Sequence, residues 1–187
     1  FDSPIEQVFV AAASAAYSFQ NADHGYLYGV ELDVRQRLDR VAERLATLSV
    51  SGNVMISESR VNVIQKGAFL PTNTNRPLEG QSPWVVNAGL IYTHPRGNTE
   101  LGMYFNAFGD RVAAAGGSGI PDIYEQSRTQ WDFSFRQALL GGSSLKFKAT
   151  DVFASTHEWE QSANGITLLQ REFRPGTTYS LGVAFDI

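Results

Sequence analysis

Few residues in this chain have the type and spacing to do chemistry. Its three histidines are His24, His94 and His157. His157 opens the stretch HEWE, with Glu158, Trp159 and Glu160, and such a grouping raises the question of a metal. In an extended chain, side chains alternate between faces. His157 and Trp159 would then share one face, and Glu158 and Glu160 the other. No second cluster of ligands accompanies them, so a solvated loop is expected here. Ser155 lies two residues before His157, but nucleophilic catalysis needs Ser, His and an acidic orienter in register. Nothing marks either residue as activated. GGSG at 116–119 runs into Ile-Pro and not into a helix, so it is no phosphate cradle. The expectation is binding without bond chemistry: no catalytic residue, no metal and no cofactor.

Composition narrows the classes further. The chain has 187 residues, 43% of them apolar and 12% aromatic, with only 18% charged and a net charge of −4. That excludes wholesale disorder and offers no basic patch for nucleic acid. With no cysteine, there is neither a disulfide framework nor thiolate chemistry. The longest apolar stretch, VFVAAASAAY from Val8, is about half of what a spanning helix needs. The chain begins with Phe, so a processed or partial product with a native C-terminus is expected.

The elements that must position any site carry a period of two. In TTYSLGVAFDI, Tyr179, Leu181, Val183, Phe185 and Ile187 alternate with Ser180, Gly182, Ala184 and Asp186. HGYLYGVELDV, ATLSVSGNVMIS, SPWVVNAGLIYT, NTELGMYFNA, QWDFSFRQ and SLKFKATD repeat the pattern. These make seven strands, with PIEQVFV or AAYSFQ supplying part of an eighth. VRQRLDRVAERLATL also fits an amphipathic helix of about three turns. Two strand ends joined by a charged turn near Asp39 to Glu43 is the preferred reading, since both flanks alternate cleanly.

Connections alternate in length. PRGN (95–98) and LGGS (140–143) are tight turns, whereas the segments after Arg60, Arg111 and Ser155 are long and polar. Long loops at one end only are rare in a soluble sheet and usual in a membrane barrel. Aromatics support the second reading. Trp84, Trp131 and Tyr179 open inward-running strands where an outer interfacial belt would lie. Tyr92 and Phe185 stand near the other ends, and Phe133 extends the aromatic set. Asp132, Arg136, Lys146, Lys148 and Glu100 all fall on polar faces, as a wet lumen would require. The fold expected is therefore an all-β, antiparallel transmembrane barrel segment of about eight up-and-down strands. A terminal strand with an unbroken apolar stripe suits a closing strand that insertion machinery reads.

RPLEGQSPWVVNAGLIY (76–92) resembles a stretch in the C-terminal barrel of TonB-dependent outer-membrane receptors. NADHGYLYGVELDV, SGNVMISESRV, MYFNAFGDRVAAAGGSGIPDIYEQSRTQWDFSF, LKFKATDVFAS and FRPGTTYSLGVAFDI follow that family's order across essentially all of residues 1–187. Two positions depart from its pattern: Asp151 stands where Asn is usual, and Ile187 where an aromatic is usual. The resemblance implies the last third of a barrel of about 22 strands, without its plug. It implies an outer-membrane location with the C-terminus periplasmic. The implied partners are membrane lipid, the rest of the barrel and plug, the TonB complex through a plug region not in view, and an unknown nutrient.

Under that reading Arg76, Gln81, Tyr124, Trp159 and Arg171, together with Asn73, Asn75, Asp122 and Glu125, are candidate ligand contacts in outer loops. Asp132, Arg136, Lys146 and Lys148 are candidate lumen residues, the three basic ones placed to meet a plug. Two rival readings stand beside it. One is a non-transporting barrel subunit or scaffold in a larger envelope assembly. The other is a soluble β-sandwich or small barrel, which would extract into buffer without detergent.

Overall fold

Alternation becomes strand throughout the computed structural model, which describes residues 1–10, 16–64 and 70–185. The strands are β1 (Ile5–Val10), β2 (Ala16–Asn21), β3 (His24–Arg37), β4 (Leu48–Asn62), β5 (Asn75–Arg76), β6 (Trp84–Thr93) and β7 (Thr99–Phe108). After these come β8 (Arg111–Ala114), β9 (Ile123–Glu125), β10 (Arg128–Ala138), β11 (Ser143–Thr150), β12 (His157–Ala163), β13 (Ile166–Phe173) and β14 (Thr178–Phe185). No α-helix occurs among the described residues. The segment with helical spacing instead forms two single 3-10 turns, Leu38–Arg40 and Glu43–Leu45, between β3 and β4. Strand pairing on both flanks outweighs an amphipathic pattern too short to bury its stripe.

The main sheet is antiparallel, in the order β14-β11-β10-β7-β6-β4-β3, with β5 paired to the far end of β4. Short turns join β6 to β7 and β10 to β11, and the two 3-10 turns join β3 to β4, all at one end. Gly97 and Gly141 take positive φ in two of them, as tight turns require. The long connections all lie at the other end. Among the described residues the sheet is open, with β3 and β14 as its edges.

Three expectations are corrected. PIEQVFV and AAYSFQ do not extend the main sheet. Their residues pair with each other as β1 and β2, from Ile5–Asn21 to Val10–Ala16. What lies along β3 instead is the start of the chain: Asp2 bridges His24, and Phe1 exchanges backbone hydrogen bonds with Gly25. The long connections are also less irregular than their polarity suggested. β8, β9, β12 and β13 form a second sheet, in the order β13-β12-β9-β8. HEWE is thus strand and not loop, because His157 and Trp159 stack on Phe173 of the paired strand. Ile187 lies outside the described residues.

Among the described residues, apolar side chains do not gather into a central core. The small buried cluster of Ala22, Val61 and Val63, with Leu78 against it, sits at the long-loop end. Tyr28, Val30, Leu32, Ile56, Leu90, Met103, Tyr179, Leu181 and Phe185 all stand exposed on one face of the main sheet. The chain's accessible surface is 11797 Å² at 20.5 kDa, against about 8,900 Å² for a compact monomer of that mass. Sheet faces without a covering layer explain an excess of that size.

Candidate functional site

Register decides which side chains share the polar face of the main sheet. Asp33 pairs with Asn53, Asn53 with Asn87, Asn87 with Asn106, and Asn106 with Gln130. The result is a row of amides straight across four strands, with Asp33 at its end on a fifth. Asn106 Nδ2 donates to Asn87 Oδ1 at 2.7 Å, and Asn87 Nδ2 reaches Asn53 Oδ1 at 3.5 Å. Asn53 Nδ2 donates to Glu31 Oε1 at 2.5 Å. At the other end Gln130 Nε2 donates to Asp132 Oδ1 at 2.9 Å. The row lines an open groove of about 480 Å³, together with Ser51 and Tyr104.

The lumen candidates are on this face. Lys148 Nζ lies 3.5 Å from Asp132 Oδ2. Arg136 and Lys146 stand directly opposite each other, a like-charge pair that Glu100 flanks from β7. These basic groups line a second groove of about 400 Å³ with Ser180 and Gly182. The polar face is thus divided into a nearly neutral amide strip and a basic patch nearer the short-turn end.

The aromatic candidates all stand on the opposite face. Trp84 is the first residue of β6, opposite Ile56, and Tyr92 lies near the short-turn end, opposite Leu48 and Leu101. Trp131 packs on Phe105, with centroids 4.8 Å apart. Phe133 lies further along β10, opposite Met103 and Ala149, and so nearer mid-band than rim. Tyr179, Leu181, Val183 and Phe185 present an apolar stripe beside Leu145 and Phe147. Ionised groups first appear on this face at Glu58 and Arg60, at the long-loop end. There Tyr28 Oη donates to Glu58 at 2.6 Å, and Tyr26 stacks on Tyr28.

At the long-loop end the expected ligand contacts divide. Arg76 is only 3% exposed, and its Nη2 reaches Glu6 Oε2 at 2.9 Å and Glu79 Oε1 at 3.2 Å. It ties segments together through these two ion pairs. Burial pushes the Glu79 carboxyl above its usual range, with Arg76 pulling the other way. Gln81 donates to Ser57 Oγ and the Ser82 carbonyl. Asp122 is buried, accepting from the Gly116 amide and from Asn73 Nδ2. Tyr124 is half-buried in β9, and burial followed by the nearby Asp122 raises its phenol above the usual value. Glu125 pairs with Arg111 at 2.7 Å.

Trp159 and Arg171 come together on the β12–β13 hairpin. Phe173 stacks on His157 at 4.7 Å and on Trp159 at 5.5 Å, and Arg171 lies 5.0 Å from both the Trp159 and Phe173 rings. Burial, then the Arg128 charge, lowers the His157 pKa below its ordinary value. Ser155 Oγ donates to Asp151 Oδ2, and the Ser155 amide donates to the same carboxylate. Ser155 therefore serves a turn in which Asp151 has positive φ. Among the described residues no group of His, Asp and Glu gathers to hold a metal.

The amide row is not visible in the sequence because its members lie on four different strands, one on each. The usable signal was three polar-face Asn residues, but only register puts them in line. No protein-family model, curated protein or solved structure matches the chain.

Proposed function

We propose that this chain is barrel wall from an outer-membrane receptor that binds a scarce nutrient and imports it with energy delivered through TonB. One observation carries the membrane part of the reading. No described residue covers the apolar face of seven successive strands, and ionised side chains along those strands keep to the other face until Glu58 and Arg60. Water penalises such a face, whereas hydrocarbon accepts it, and a wet lumen accepts the charges opposite. Strands of 10 to 15 residues, such as β6 and β4, are long enough to cross when tilted. Open edges at β3 and β14 would be closed by further strands, since lipid tolerates no unpaired backbone. The ordered motif resemblance supports the receptor part.

The absence of cysteine allows a clean topology test. Asn164→Cys, at the tip of the β12–β13 hairpin, should react with an impermeant maleimide on intact cells. Gly97→Cys, in a short turn, should react only after the outer membrane is opened. Both labelling equally, or the protein extracting into buffer without detergent, would sink the membrane reading. Correct topology without TonB-dependent uptake would favour the scaffold alternative.

A further inference from the structure

We propose that the amide row on the polar face is a binding strip for a neutral oligosaccharide. The inference rests on that face lining a lumen, as proposed above. Its first support is spacing. Asn53, Asn87, Asn106 and Gln130 occupy successive strands in direct register, so neighbouring amides recur about every 4.8 Å across the sheet. That repeat is close to the length of one pyranose unit. Each amide carries two N–H donors and a carbonyl with two lone pairs. The contacts along the row use one N–H of each, which leaves a donor beside every rung for a ring hydroxyl.

The second support is an exposed aromatic ring beside the row. Tyr104 lies two residues from Asn106 on β7, directly opposite Gly89. A Cβ on Gly89 would come within 3.3 Å of Tyr104 Cδ1, and one on Gly102 within 2.7 Å of its Oη. Only two glycines let the ring rest on the backbone, and it remains 37% exposed there. A flat aromatic face bordered by amides offers stacking to the C–H face of a sugar and hydrogen bonds to its edge.

Third, two of the strip's three carboxylates are matched by cations. Asp33 pairs with Arg35 at 3.4 Å and Asp132 with Lys148 at 3.5 Å, while Glu31 accepts from the neutral Asn53 amide. A strongly anionic ligand would gain little there, whereas a hydroxyl-rich neutral one would find donors and acceptors in alternation. The groove is open and elongated across strands, which suits a chain of sugars better than a single ring.

The test is calorimetric titration of the detergent-solubilised native assembly with maltoheptaose, cellohexaose and a fructo-oligosaccharide, with oligogalacturonate as the anionic control. One or more neutral oligosaccharides should bind and the control should not. Loss of two neutral hydrogen bonds in the Asn87→Ala, Asn106→Ala double variant should weaken binding about tenfold. Tyr104→Ala should weaken it as well, while Tyr104→Phe keeps the ring and retains binding. No heat from any neutral oligosaccharide, or an affinity unmoved in both the double variant and Tyr104→Ala, would overturn the proposal. Heat-modifiable gel migration of every variant, with the need for detergent, keeps the two readings apart. A folded, detergent-requiring protein that ignores oligosaccharides refutes the strip alone, whereas one that extracts into buffer refutes the lumen beneath it.

Discussion

Arg76 and Glu6 meet over 2.9 Å at the long-loop end, 70 residues apart in the chain and each less than one-tenth exposed. This contact joins the β1–β2 hairpin to the connection between β4 and β6, and Glu79 completes it from the same connection.

Removing one partner of such a buried pair strands the other's charge, at a cost of roughly 3–5 kcal/mol. Arg76→Met should therefore loosen the β1–β2 hairpin while the main sheet stays folded. Limited proteolysis should show new cleavage within residues 1–23 and not within β6 to β11. Adding Glu6→Gln should recover part of the protection. Unchanged cleavage in the single variant would mean that the pair contributes nothing to loop order.

Acid should open the β12–β13 hairpin. The His157 pKa lies below its ordinary 6.5 in the folded state, with burial first and Arg128 second as causes. A base depressed in this way contributes stability that is present above pH 6.5 and lost as pH falls through the folded value. Hydrogen exchange of the hairpin amides, corrected for the intrinsic pH dependence, should lose protection on mild acidification. His157→Gln should flatten that response. A response that survives the substitution would assign it to another group.

The two faces of one strand should respond unequally to the same residue. Leu90 faces Met103 and Val50 on the apolar side, and Asn87 faces the groove. Leu90→Arg should cost about 2–4 kcal/mol if it lies near the bilayer midplane, read as a lower urea midpoint in lipid vesicles. Asn87→Arg should shift the midpoint far less. Equal losses would contradict a lipid face on that side.

The basic patch offers a further check. Replacing Arg136, Lys146 and Lys148 together with Ser should weaken plug retention and raise passive leak, if these groups hold a plug by ion pairs. Vesicle conductance and co-purification of the plug report on both. With neither changed, the patch has no such role.

Much of the strand arrangement was legible because a period of two declares itself within eight residues. The Trp131, Phe133 and Phe135 alternation and the Tyr179 to Phe185 stripe needed no partner to be read. The burial of Arg76 is not legible for the opposite reason. Its environment depends on Glu6, and no local pattern links an Arg beside a Pro to a Glu near the start of the chain. The strands β12 and β13 were hidden by polar composition, since HEWE and ITLLQREF offer their aromatic face only when His157, Trp159 and Phe173 meet. The amide row needed the register of four strands, which side-chain type does not encode.

The strand order of the main sheet has a consequence for how it is made. From β3 to β14, each strand's neighbour in space is the next main-sheet strand in the chain, with no crossover. Loop-closure cost is then met in small steps, and few pairings must wait for distant segments. Such a sheet can grow at its edge like a zip, each hairpin docking on the one already laid down. A defect in one strand would stall everything added after it while leaving the earlier part intact. Truncation series should then yield a ladder of partly built intermediates, with no all-or-none loss.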